Sequence, residues 1–130
     1  MSTDTETTLL PGLAGDSPPT RCMRLRLRFD DRELLVDERQ SSITIGRAEE
    51  NDVVVKSHMI SRLHARIEIS RIKFALIDQS TNGTFVQTAE GEELYVRRDI
   101  LQISGRGMIG LGRVPEQGSL HTILFTCEEI

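Results

Sequence analysis

The chain has 130 residues, 38% hydrophobic and 28% charged, with a formal net charge of −4 at pH 7. That length holds one ordinary domain and a tail rather than two domains, and no run nears the roughly 18 apolar residues of a membrane span, so no membrane partner is expected. The acidic balance argues against nucleic acid as a partner, since its phosphates are usually met by many Lys and Arg side chains.

Residues 1–21 are rich in Thr, Ser, Asp, Gly and Pro and hold few large apolar side chains. This predicts a disordered N-terminal arm, with the domain over 22–130. Asp4 and Glu6 stand where a secretory leader would carry basic residues before an apolar run, so a cytoplasmic location is expected. Cys22 and Cys127 lack the close spacing of a metal or redox pair and are expected to stay reduced.

From Met23 the pattern alternates, with Met23, Leu25, Leu27 and Phe29 on one side and Arg24, Arg26 and Arg28 on the other. That is the period of a half-buried strand, and the Arg row reads as a solvated face rather than a dock for an acidic partner. Asp30-Asp31 turns the chain into a second strand near 33–36. A third follows at 43–46, with hairpin pairing as the simplest connection. Strand-length runs recur at 53–55, 65–70, 74–78, 84–86, 93–96, 108–111 and 121–126. Turn formers separate them, among them Glu50-Asn51-Asp52, Thr81-Asn82-Gly83, Glu90-Gly91 and Gly105-Arg106-Gly107. No segment sustains helical periodicity, so the expected class is all-β, a sandwich or barrel.

Three elements in order then bear on function: Gly46-Arg47 after a strand, Ser61-Arg62-Leu63-His64 before one, and Asp78-Gln79-Ser80-Thr81-Asn82-Gly83-Thr84 between two. From about Met23 to Thr126 the chain resembles a forkhead-associated (FHA) domain. The resemblance implies a β-sandwich of about eleven strands, and a non-enzymatic module that binds phosphothreonine-containing proteins in Ser/Thr kinase signalling. A phosphothreonine carries about −1.5 to −2 charges and three acceptor oxygens, so its site needs a fixed cation and neutral donors on preorganised loops. Arg47, Ser61 and Arg62 are of those types.

By the same resemblance, Arg47 reaches the phosphate and the peptide backbone, while Ser61 offers its hydroxyl and backbone N–H. Arg62 touches the phosphate beside it. Thr81 lines the slot for the phosphothreonine methyl, and Asn82 binds the peptide main chain through its amide. Met59, two residues before Ser61, helps select the third residue after the phosphothreonine. Gly46, His64 and Gly83 are scaffold, with His64 hydrogen-bonded inside the loop that carries Ser61, and Asp78 and Ser80 serve loop hydrogen bonding. His58 and His121 receive no role.

Rival chemistries find little support. His64 has no second ligand at metal spacing and no nucleophile beside it. Gly105, Gly107, Gly110 and Gly112 lack the following helix that a nucleotide loop requires, so no cofactor is expected. The stretch from Glu92 to Gly112 is similar to FHA domains attached to bacterial class III nucleotide cyclases, which implies the C-terminal regulatory domain of a larger protein. Glu6-Thr7-Thr8-Leu9-Leu10 resembles the Thr-Thr phosphorylation site before the FHA domain of some small bacterial regulators. Phosphorylation at Thr7 or Thr8 would make the arm a ligand for its own domain. The alternative keeps the fold but makes association phosphate-independent, through an exposed sheet.

Overall fold

The alternation that opens the domain becomes strand β1 (Arg24–Phe29), with Leu25 and Leu27 fully buried and Arg28 exposed. The computed structural model describes residues 24–71 and 73–129. The expected arm, Cys22, Thr7 and Thr8 therefore lie outside the described residues. Asp30 takes a left-handed backbone (φ 59), which Asp tolerates better than most residues, and turns the chain into β2 (Arg32–Val36). These two strands form the expected hairpin, pairing Leu25 with Val36.

Strand β3 (Ser42–Gly46) does not continue that hairpin, contrary to the simplest expectation. β2 is an edge strand. At its end the Asp37 carboxylate accepts the N–H groups of Arg39 and Gln40 at 2.8 and 3.0 Å, an Asx-type turn preceding a strand of the second sheet. The remaining strands are β4 (Val53–Val54), β5 (Ala65–Ser70), β6 (Lys73–Asp78), β7 (Thr84–Thr88), β8 (Glu93–Val96), β9 (Ile100–Ile103), β10 (Arg106–Leu111) and β11 (Thr122–Glu128). β9 has no counterpart in the strands read from the sequence.

A six-stranded sheet runs β2-β1-β11-β10-β7-β8 and a five-stranded sheet runs β4-β3-β5-β6-β9. Pairing is antiparallel except between β3 and β4. Leu25, Leu27, Ile109, Ile123 and Phe125 from the first sheet share one buried cluster with Ile43, Ile45, Ile67, Phe74 and Leu76 from the second. Each such side chain contributes about 1.5–3 kcal/mol on burial, so the sandwich is a rigid base for its loops. None of the described residues forms a helix long and apolar enough to cross a membrane.

On the outer face of the larger sheet the Arg row is paired with two carboxylates of the same sheet. Arg24 and Arg26 bond to Glu128 at 3.0 and 2.8 Å, and Arg26 and Arg28 pair with Glu33 at 2.6 and 3.5 Å. One expectation fails here. Cys127 is disulfide-bonded rather than reduced. The register sets Leu25 of β1 opposite Cys127 of β11, so distance along the chain was no guide to distance across the sheet.

Candidate functional site

Three loops are bound to one another at one end of the sandwich: 47–52 after β3, 55–64 after β4, and 79–83 after β6. Arg47 donates its N–H to the Ser61 carbonyl at 3.0 Å, and Ala48 does the same to Arg62 at 3.2 Å. Gln79 donates to the His64 carbonyl and Gly112 to that of Gly83, at 2.9 and 2.8 Å. Gly46 opens the first loop because a Cβ there would run into the Arg62 carbonyl.

His64 locks the second loop to the third. It is fully buried. Its Nδ1 accepts the Ser61 N–H at 3.0 Å, which leaves the proton on Nε2 to be donated to the Gly83 carbonyl at 2.8 Å. Burial pushes the imidazole pKa below its usual 6.5, outweighing the Gly83 carbonyl and the Asp78 carboxylate. The ring is neutral at pH 7, so the 3.9 Å approach to Asp78 is a polar contact rather than an ion pair. One expected role is thereby corrected: the Ser61 N–H is spent on His64 and is not free for a phosphate oxygen.

Asp78 closes the base of the third loop. Its carboxylate accepts from Thr84 Oγ1 at 2.5 Å, from the Ser80 N–H at 2.8 Å and from the Arg98 N–H at 2.9 Å, and Ser80 Oγ stands 2.9 Å from both its oxygens. Burial alone would raise this carboxyl, but those donors hold it below its usual 3.8. Ser80 Oγ also accepts the Gly83 N–H at 2.7 Å. Gly83 takes φ 87, a conformation glycine adopts without strain. Asp78 and Ser80 are the loop-bonding residues expected of them.

On this scaffold the groups left for a ligand cluster together. Arg47 spends Nε on the Ile60 carbonyl at 3.0 Å, and no carboxylate of the described residues pairs with its guanidinium. Lys56 contacts the Arg47 carbonyl at 3.2 Å and pairs with Glu49. Ser61 Oγ accepts the Thr81 N–H at 3.1 Å, and its own hydrogen has no acceptor among the described residues. Arg62 is exposed and only 3.9 Å from Glu50, an arrangement of small energetic weight. Asn82 donates one amide hydrogen to the Met59 carbonyl at 3.0 Å, its other hydrogen and its oxygen have no partner among the described residues, and Met59 is half-buried beside it. Arg47, Ser61, Arg62, Thr81, Asn82 and Met59 thus lie on one connected surface.

Two supporting residues escaped the sequence reading. Asn51, buried, donates to the Ala48 and Arg62 carbonyls at 2.8 and 2.7 Å and so joins the first two loops. In the sequence it looked only like a turn former. Arg98 adds its Nε, 3.1 Å from the Ser80 carbonyl, to its backbone bond with Asp78, and takes a left-handed backbone at φ 54. No signal in the sequence marks it. The described residues hold no group of three or more His, Cys, Asp or Glu side chains suited to a metal. A concavity of about 760 Å³ lies elsewhere, on the outer face of the six-stranded sheet around Arg28, Arg106, Met108 and Leu124.

Residues 43–103 match the profile of the FHA domain. Among solved structures, an FHA domain of Mycobacterium tuberculosis Rv1747 superposes with a TM-score of 0.61 at 20% identity, over 82% of this chain and 97% of that one. The M. tuberculosis protein EmbR, solved with a low-affinity phosphopeptide, matches at 25% identity and a TM-score of 0.58, over 81% of this chain and 24% of that one. The N-terminal FHA domain of Saccharomyces cerevisiae Rad53p, solved with a phosphothreonine peptide, matches at 19% identity and a TM-score of 0.60, over 81% and 94% of the two chains. No curated protein sequence matches the chain.

Proposed function

The chain carries an FHA domain, and from that premise we propose that it is a phosphothreonine-reading adaptor that docks a partner phosphorylated by a Ser/Thr kinase. The observation that carries this reading is the grouping of an uncontested Arg47 guanidinium, a Ser61 hydroxyl with a free hydrogen and a half-free Asn82 amide on three mutually bonded loops. Arg47, Ser61 and Arg62 hold the phosphate. Thr81 receives the methyl, Asn82 holds the peptide main chain and Met59 reads the third residue onward, while Gly46, His64 and Gly83 keep the loops in place. FHA domains are interaction modules, and the proposed adaptor has no turnover and no cofactor. Residues 22–130 are the proposed domain, and a place at the C-terminal end of a larger regulated cytoplasmic protein is the setting proposed for it.

The test is a fluorescence-anisotropy titration of phosphothreonine peptides, with unphosphorylated and phosphoserine controls. Saturable binding of the phosphothreonine set alone is expected. Equal binding of unphosphorylated peptides would overturn the reading and favour phosphate-independent association, for which the concavity around Arg106 and Leu124 is the available surface.

A further inference from the structure

Tyr95 is more exposed than its place in the fold requires. On β8 its ring packs 4.7 Å from that of Phe85, lies over Gly83, and donates its hydroxyl to the Asn82 carbonyl at 3.3 Å. Even so, 52% of the residue is open to solvent. A ring held at its face and at its hydroxyl has already lost the freedom that a ligand contact would otherwise cost, and a rigid aromatic offers a large contact area for little ordering. Asn82 stands between two neighbours: its side-chain amide meets Met59 and its main-chain carbonyl meets Tyr95. A peptide whose backbone runs over Asn82 therefore leaves Met59 on one side and Tyr95 on the other.

We propose that Tyr95 is a specificity residue that seats an apolar or proline side chain of the bound phosphothreonine peptide, on the far side of Asn82 from Met59. This inference rests on the phosphothreonine reading. The ring's packing on Phe85 and Gly83 supplies the seat, and the open half supplies the contact. Because the hydroxyl is turned to Asn82, selection comes from the ring rather than from a polar handle.

The experiment measures the affinities of phosphothreonine peptides carrying Leu, Pro or Ala at each flanking position in turn, for the wild type, Tyr95→Ala and Tyr95→Phe. The wild type should gain about 3- to 10-fold from an apolar residue at one position besides the third after the phosphothreonine. Tyr95→Ala should lose that gain, binding apolar- and alanine-flanked peptides alike, and Tyr95→Phe should keep it. The proposal is overturned if Tyr95→Ala keeps the gain, if no such position exists, or if Tyr95→Ala weakens all peptides equally, which would leave Tyr95 only a support for the loop. A wild type that binds no phosphothreonine peptide would sink the underlying reading instead, an outcome distinct from the other three.

Discussion

At the scale of single residues, Arg47 is a cation of whose guanidinium the described residues use only Nε, 3.0 Å from the Ile60 carbonyl. Its removal would take the proposed charge-assisted contact from the ligand and little from the fold. Arg47→Ala should lower phosphopeptide affinity by about 10- to 150-fold, from about 1.5–3 kcal/mol, with an unchanged denaturation midpoint. Calorimetric titration beside a urea melt checks both halves. Thr81 makes a smaller statement. A methyl seated beside it is worth about 0.8 kcal/mol, so phosphothreonine should beat phosphoserine about fourfold, and equal affinities would remove the slot. His64 ties stability to pH. Its folded pKa lies below 6.5, so below about pH 6.5 the unfolded chain binds a proton there that the folded ring refuses. That contribution is complete above 6.5 and is lost as pH falls through the folded pKa, because a proton on Nδ1 breaks the Ser61 bond. Asp78, also lowered, adds a second loss at acid pH below its usual 3.8. The urea midpoint should fall between pH 7.5 and 5.5, and a flat profile would contradict the neutral, buried ring.

At the scale of elements, the third loop depends on a turn that is distant from it in sequence. Arg98 reaches it by two bonds from a strained backbone, which makes substitution at this position a two-part test. Arg98→Ala loses the Ser80 contact and keeps the left-handed strain. Arg98→Gly loses the same contact and relieves the strain, so it should be the more stable variant by about 1 kcal/mol in chemical denaturation. How legible such elements were in the sequence depended on how regular their environment is. β1 alternates cleanly because one face meets the core and the other carries its Arg row. β9 also alternates in burial, but Ile100 stands on its outward face at 64% exposure while Leu101 and Ile103 face the core, so its apolar residues show no period. The motifs around Arg47, Ser61 and Asn82 were readable because their order and residue types suit a phosphate site. Asn51 and Arg98 were not, because each acts by bonding carbonyls of residues that only the fold brings near.

At the scale of the whole molecule, Cys127 and the residues before the domain raise separate questions. Cys127, one residue before the end of β11, is in a disulfide, where reduced thiols had been expected. Thiol titration of the unreduced, denatured protein should find no free Cys127, and Cys127→Ser should cost about 2–4 kcal/mol. The remaining question is what would occupy the proposed phosphate-reading loops when no partner is present. Thr7 and Thr8 precede the domain, and Thr7 is the better candidate because Leu10 stands three residues on, the apolar type that Met59 would accept, whereas Thr8 places Pro11 there. About fifteen residues lie between Thr7 and β1, and at up to ~3.3 Å each they reach ~50 Å, enough to cross a small domain. A tethered ligand acts at an effective concentration on the order of millimolar, so a phosphorylated Thr7 of modest intrinsic affinity would hold the site against a free peptide. Phosphorylation of the arm should therefore shift the NMR signals of Ser61, Asn82 and the Arg47 side chain and weaken external peptide binding at least tenfold, effects that Thr7→Ala abolishes and Thr8→Ala spares. Unmoved loop signals together with undiminished peptide binding would show that the arm is no ligand of its own domain.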